Sequence, residues 1–521
     1  MSTKQWKAAI SVLTVLSFLL LSSATVQAQK LGDTVKDDNL GVSLRVPKDW
    51  VSIPVEPTEK IIFIKYQADR AERHRKFRYD VTPGLDVLFF PHVDGNESDP
   101  LSGIKTEPGS EQDKAKKAYA LITGSMKSYD GYVERYFGGF EKSKPQKKKI
   151  KKIPVTFLDM VGSKVEANGE PIPLHVSSAV FKVEEGTFVM QFICLEQNYK
   201  KRHKSNFAAS FRSFKRIEKG AGSDEEALAL LSDNERYIQE QIQKLPKDWN
   251  HFWSKKKNYM IFSNADKVFT KEIEKNLEGI HDCYVKMFPG KPKIGWKPIV
   301  RVCKTKNEYH GYGGPQGSAG YWSDGTKEFV FYNDVGGGAK NTMIVLKHEA
   351  FHHFMHFYLG TRLSTWYDEG HADYFSGGVF AGKRIKIKPS QWRRGTIQSA
   401  IVNGSYVPLK EFVNMSKAEY YAKANLCYAQ GWSLIYFFRE GKRQGARMKK
   451  EWQTIPDRYL EHLIKAFADL EKERPNDVTD ENTVNYKLAE DAVKHAMEQT
   501  FGGWTDKDWK ELEEAWADFI G

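Results

Sequence analysis

Residues 341–375, NTMIVLKHEAFHHFMHFYLGTRLSTWYDEGHADYF, constrain this chain more than any other segment. They hold His348-Glu349-Ala350-Phe351-His352, an H-E-x-x-H pattern. Met343, Ile344, Leu346, Phe351, Phe354 and Met355 around it are apolar, and no Pro or Gly interrupts them, so the run predicts a helix. Helical residues four apart share a face, one turn from each other. His348 and His352 can therefore present two imidazoles to one metal ion. Glu349 is rotated from them by about 100°, beside the metal rather than on it, where a general base belongs. The turn Gly360-Thr361-Arg362 leads to a second helical stretch, and Glu369 follows His352 after sixteen intervening residues. Asp373 lies four residues further, on the same face as Glu369. A catalytic zinc site needs three protein ligands and one open position. His348, His352 and Glu369 satisfy that count for Zn2+. Asp373 is placed to accept a hydrogen bond from the far nitrogen of a ligand histidine, His348. His353 and His356 are assigned to the core or to bonds behind the ligands, and His371 points away from the Glu369 face.

The arrangement resembles the gluzincin metallopeptidases, the peptidase MA-like clan of thermolysin-like and aminopeptidase N-like enzymes. The matching elements are H-E-x-x-H followed by E-G-x-A-x-Y and E-x-x-x-D, and the resemblance runs over residues 219–521. It implies a zinc peptidase domain with a small mixed sheet and a mostly helical C-terminal part. Hydrolysis of a polypeptide substrate would proceed by water that Glu349 activates. The segment NLCYAQGWSLIYFF looks like a helix of the same clan, which makes Tyr428 the candidate oxyanion donor and Tyr421 the second choice. The strand Glu328–Tyr332 matches the clan's edge strand, which pairs with extended substrate, so Phe329 and Phe331 are expected to bind substrate. Gly320-Tyr321-Trp322 is expected at the cleft rim. The G-x-M-E-N element of the aminopeptidase branch is absent, which counts against recognition of free amino termini by that device. Asp368 stands where many relatives have Asn, and is expected to alter the bonds behind the ligands.

The N-terminus carries Lys4 and Lys7, an apolar stretch from Ala8 to Leu21, and small residues up to Ala28. This reads as a signal peptide over residues 1–28, cleaved after Ala28, with an uncleaved anchor as the alternative. No other apolar run reaches membrane-spanning length, so no transmembrane span is expected after cleavage. The implied location is secreted, periplasmic or cell envelope.

Residues 29–218 form a second expected unit. Strands are predicted at Ile61–Tyr66, Leu85–Phe90, Val155–Val161, His175–Lys182 and Thr187–Leu195, with a helix over Glu111–Met126. GVSLRVPKDW at its start and SFRSFKRI at its end resemble PsbP-like domains, which implies a binding module. The whole chain is thus expected to be α+β, an N-terminal α/β sandwich-like domain followed by the gluzincin-type domain. The Gly/Ser break KGAGSDEEALA marks the boundary, with a helix from Asp224 to Gln243 after it.

The net charge is +12, concentrated in Lys142–Lys152 and in Arg70–Arg78. No nucleic-acid motif accompanies these runs, so no nucleic-acid partner is expected, whereas anionic envelope polymers are compatible with them. An exported chain permits disulfides, and Cys283 and Cys303 are the expected pair among four cysteines. No CxxC, G-x-S-x-G or Walker A motif is present. The leading reading is a zinc metallopeptidase. The alternative is a non-catalytic envelope binding protein with a degenerate or structural zinc site.

Overall fold

The computed structural model describes residues 31–521 apart from 39, 77–79, 93–110, 166–170, 219–231, 289–291, 293, 334–338, 382–383 and 478–484. The expected signal segment, the inter-unit break, Arg78 and the start of the helix expected from Asp224 lie outside the described residues. The fold is α+β. The chain divides into two compact units, residues 1–230 and 231–521.

The first unit is built on antiparallel strands. β1 (Leu31–Asp37) and β2 (Val42–Pro47) join a short strand late in the unit to make a three-stranded sheet. The main sheet runs from β3 (Trp50–Ile53) and β4 (Ile62–Ala68) to Gly84–Pro91. It continues through Gly186–Leu195, Pro171–Val183 and Ile153–Val165. These strands sit within a few residues of the predicted ones because alternating apolar side chains fill both faces. On Gly186–Leu195, Phe188, Met190, Phe192 and Cys194 enter one core, and Val189 and Leu195 enter the other. The first core is closed by Val42, Leu44 and Val46 of β2 and by Phe207 and Phe211 of the helix Lys204–Ser213. The second is closed by Tyr129, Tyr132, Val133 and Phe137 of a helix, Tyr129–Phe137, that follows the expected one and was not itself expected.

The second unit opens with the helix Asp233–Gln243, started by a reciprocal Ser232–Glu235 cap. Its five-stranded sheet has the order Asn250–Trp253, Met260–Ser263, Ile299–Cys303, Glu328–Tyr332, Gly320–Ser323. The three inner strands are parallel and the two edge strands antiparallel. Arg301 and Glu328, both buried, pair at 2.9 Å across the inner strands. Such a pair is costly to break, because either partner alone would be a buried unpaired charge.

Two expectations are corrected here. Glu328–Tyr332 is an inner strand, flanked on both sides, and Phe329 and Phe331 are fully buried in the core, so neither side chain is free to bind substrate. The edge strand on that side is Gly320–Ser323. Cys283 and Cys303 do not pair: all four cysteines are buried free thiols. Cys303 sits inside an inner strand, and Cys283 meets the backbone of Ile385 in a two-stranded hairpin, Gly378–Ala381 with Arg384–Ile387. That hairpin interrupts a region expected to be helical throughout.

Candidate metal centre

The H-E-x-x-H segment lies in one unbroken helix, Ala339–Leu359. Gly360 ends it in the left-handed conformation, at φ 63°, which glycine adopts without steric cost. The chain then turns into the helix Thr365–Ser376, which carries Asp368, Glu369 and Asp373. This second helix lies very close to a third, Ala424–Glu440. A Cβ on Gly370 would stand 2.8 Å from the Gly431 carbonyl oxygen. Glycine at both contact points lets the backbones approach, and this seats Glu369 under the two histidines.

The three expected ligands converge. His348 Nε2 and His352 Nε2 are 3.1 Å apart. Glu369 Oε2 lies 3.3 Å from the first and 3.5 Å from the second. A tetrahedral zinc with bonds near 2.0–2.1 Å places its ligand atoms about 3.3 Å from one another. The triangle in the protein matches that spacing, and Glu369 Oε2 is a buried oxygen with no hydrogen-bond partner. These residues therefore fit zinc. Among the described residues, this is the one group of three or more such side chains with metal-holding geometry.

Behind the triangle, each donor is held by a second bond. His348 Nδ1 lies 3.0 Å from Asp373 Oδ1, as the sequence indicated. His352 Nδ1 lies 2.8 Å from Asp368 Oδ1. With both Nδ1 atoms donating to carboxylates, both Nε2 lone pairs face the centre. Tyr421 donates its hydroxyl to Glu369 Oε1 at 2.6 Å. The sequence reading placed Tyr421 only as a second oxyanion choice, and Asp368 without a named partner. Its neighbour position to Glu369 on the helix was the available signal for Asp368.

The electrostatics follow from this packing without metal. Burial opposes charge on His348, but the bond to Asp373 and the Glu369 carboxylate close by outweigh it and push its pKa up to about 10. His352 is likewise raised, by Asp368 and Glu369 against burial. Glu369 is buried, yet the two imidazoles hold it well below the usual carboxylate range. Glu349 moves the other way: burial raises it and outweighs the nearby imidazoles. A carboxylate raised in this way is a stronger base. Its Oε2 accepts the Trp322 backbone N–H at 3.1 Å. That amide belongs to the edge strand, so the edge strand faces the site.

The centre opens into a cleft of about 500 Å³, whose lining includes Trp322, Tyr421 and Tyr428. The Tyr428 ring lies 6.1 Å from that of His348 and stacks on Tyr421 at 6.3 Å. His356 lines the same cleft, with Nδ1 at 3.9 Å from Asp324, and is not among the converging donors. His353 is buried among the rings of Trp322, Phe329 and Phe357. His371 is fully buried against the Tyr367 carbonyl and Arg439, so it is not a cleft residue.

No family model matches the chain, and no curated protein matches it. The N-terminal part is weakly similar to several solved structures, three of which follow. Cyanobacterial PsbP from Synechocystis sp. PCC 6803 is 14% identical, covering 38% of this chain and 98% of its own, at TM-score 0.22. LpqN from Mycobacterium tuberculosis, involved in cell envelope biogenesis, is 13% identical, covering 38% and 96%, at 0.21. The Ran-binding protein Mog1p of Saccharomyces cerevisiae is 11% identical, covering 36% and 97%, at 0.20. At these scores the likeness says nothing about what the chain does, and the functional reading has to come from the site.

Proposed function

We propose that this chain is an exported zinc metallopeptidase. The observation that carries the reading is the triangle of His348, His352 and Glu369 donor atoms, with Glu349 beside it, at the base of an open cleft. When bound there, zinc supplies Lewis-acid polarisation of a peptide carbonyl and lowers the pKa of water.

The chain's own residues do the rest. Glu349, held by the Trp322 amide, accepts a proton from the attacking water and delivers it to the leaving amine. Tyr428 donates its hydroxyl to the carbonyl oxygen as negative charge develops there. A donor of this kind is commonly worth about 3–4 kcal/mol. Tyr421 fixes Glu369. Extended substrate pairs along Gly320–Ser323, the strand whose amide already faces the catalytic carboxylate. Export rests on the charged, apolar and small-residue pattern of residues 1–28.

The test is zinc content by elemental mass spectrometry together with casein hydrolysis, on the purified full chain. Glu349→Gln is expected to keep one zinc per chain and lose hydrolysis. Glu369→Ala is expected to lose both. A wild type that stays metal-free after zinc loading would sink the proposal and leave the envelope-binding alternative.

A further inference from the structure

We infer that Arg393 is a positioning residue that fixes His348 through Asp373, an inference that rests on the metallopeptidase reading. Arg393 lies in the first turn of the helix Gln391–Val402, seventeen residues past the Ser376 end of the Glu369 helix and beyond the hairpin. Nothing in the sequence pattern connected it to the site. Its backbone N–H donates to the capping Ser390 hydroxyl at 3.4 Å. Its side chain is only 15% exposed, and Nε stands 2.8 Å from Asp373 Oδ2. The other oxygen of the same carboxylate, Oδ1, faces His348 Nδ1 at 3.0 Å. A chain of three charged or polar groups therefore runs from Arg393 to the metal-facing nitrogen.

The guanidinium is itself held. Its carbon lies 4.2 Å from the Trp392 ring centroid and 5.0 Å from that of Tyr428. Two aromatic faces thus keep the cation in place, an arrangement suited to arginine's flat group. Asp373 is 6% exposed, so water cannot hold the carboxylate in its place. With the Arg393 cation paired against one oxygen, the other stays aimed at His348. The imidazole then keeps its Nδ1 proton and leaves Nε2 open toward His352 and Glu369. Tyr428 shares this cation, so the same residue touches both the metal side and the oxyanion side of the cleft.

Zinc affinity measured by competition with a chromophoric chelator tests this, using zinc alone as the probe and the full chain as protein. Arg393→Ala and Asp373→Asn are each expected to weaken zinc binding roughly 10-fold or more, the usual cost of losing a group behind a ligand. The double variant is expected to bind no more weakly than Asp373→Asn, because Arg393 acts through that carboxylate. Arg393→Lys is expected to recover part of the loss. Arg393→Ala also removes a counter-charge from a buried carboxylate, so it is expected to lower the thermal stability of the metal-free protein, whereas Arg393→Lys keeps the charge and is expected to stay closer to wild type. If that variant does not fold, Arg393→Met, which keeps the stem between the two rings, replaces it. Wild type that binds zinc alongside Arg393→Ala with equal affinity, or a double variant whose loss is the product of the two singles, overturns the role of Arg393 alone. Wild type that takes up no zinc removes the metal reading first, and this inference with it.

Discussion

Both units of the chain hold histidines against carboxylates, yet among the described residues only the second brings two histidines and a carboxylate to one point. In the first unit, His175 lies between Glu196, at 2.7 Å from Nδ1, and Asp159, at 3.3 Å from Nε2. Tyr199 stacks on its face at 3.4 Å. Both ring nitrogens are engaged. His203 is similarly paired with Glu72 at 2.9 Å. In the second unit, His348 and His352 each face a carboxylate behind them through Nδ1 and turn both Nε2 atoms toward each other and the shared Glu369 oxygen. His175 has a carboxylate at each end of its ring, whereas the Nε2 atoms of His348 and His352 share one point with Glu369.

The largest effect that would break this contrast is the loss of zinc itself. His348→Ala is expected to abolish zinc uptake, measured by elemental analysis. His175→Ala is expected to leave zinc unchanged while lowering the stability of its own unit by about 1–3 kcal/mol, since two carboxylates lose their donor. Zinc loss in His175→Ala would show that the two clusters are not independent.

The contrast sharpens at Asp368, which closes the Nδ1 end of His352. Asp368→Ala is expected to weaken zinc affinity about 10–100-fold with the three ligands intact. Unchanged affinity in a chelator titration would mean that the ligand helix alone orients His352, and that the carboxylate is incidental.

Much of this was legible in the sequence, for a physical reason. His348, Glu349, His352, Glu369 and Asp373 lie on two consecutive helices, where spacing dictates facing, so linear pattern converts directly into geometry. The strands of the first unit were legible because both faces of the sheet are buried and the alternation is strong. What the sequence hid depends on tertiary approach. Arg393 reaches Asp373 only after a hairpin that breaks the helical run. Phe329 and Phe331 were expected on an edge strand from the resemblance alone, and their apolar run could not correct it, because edge and inner strands share such a pattern when helices cover the sheet. The sheet order, which sequence spacing does not encode, put Gly320–Ser323 on the edge instead. The expected Cys283–Cys303 bridge failed for the same reason: nearness in sequence did not bring a helix thiol and an inner-strand thiol together.

The smallest test compares two carboxylates. Glu369 faces two imidazoles and is held low. Asp86 lies opposite Lys65 in the first unit's sheet, but Lys65 already pairs with Glu59 at 2.6 Å. Burial therefore dominates at Asp86 and raises its pKa from 3.8 to about 6. The folded protein thus holds a proton on Asp86 that the unfolded chain releases at lower pH. The resulting stability is fully present below about pH 4, and is lost as pH rises through about 6. Asp86→Asn stays neutral, leaves the Lys65–Glu59 pair in place, and removes this slope. In urea unfolding of the full chain, the stability of Asp86→Asn relative to wild type is expected to rise by about 2–3 kcal/mol between pH 4 and pH 7. A flat or falling difference would mean that Lys65 compensates Asp86 as fully as the two histidines compensate Glu369. The two buried carboxylates would then differ in function without differing in electrostatic support.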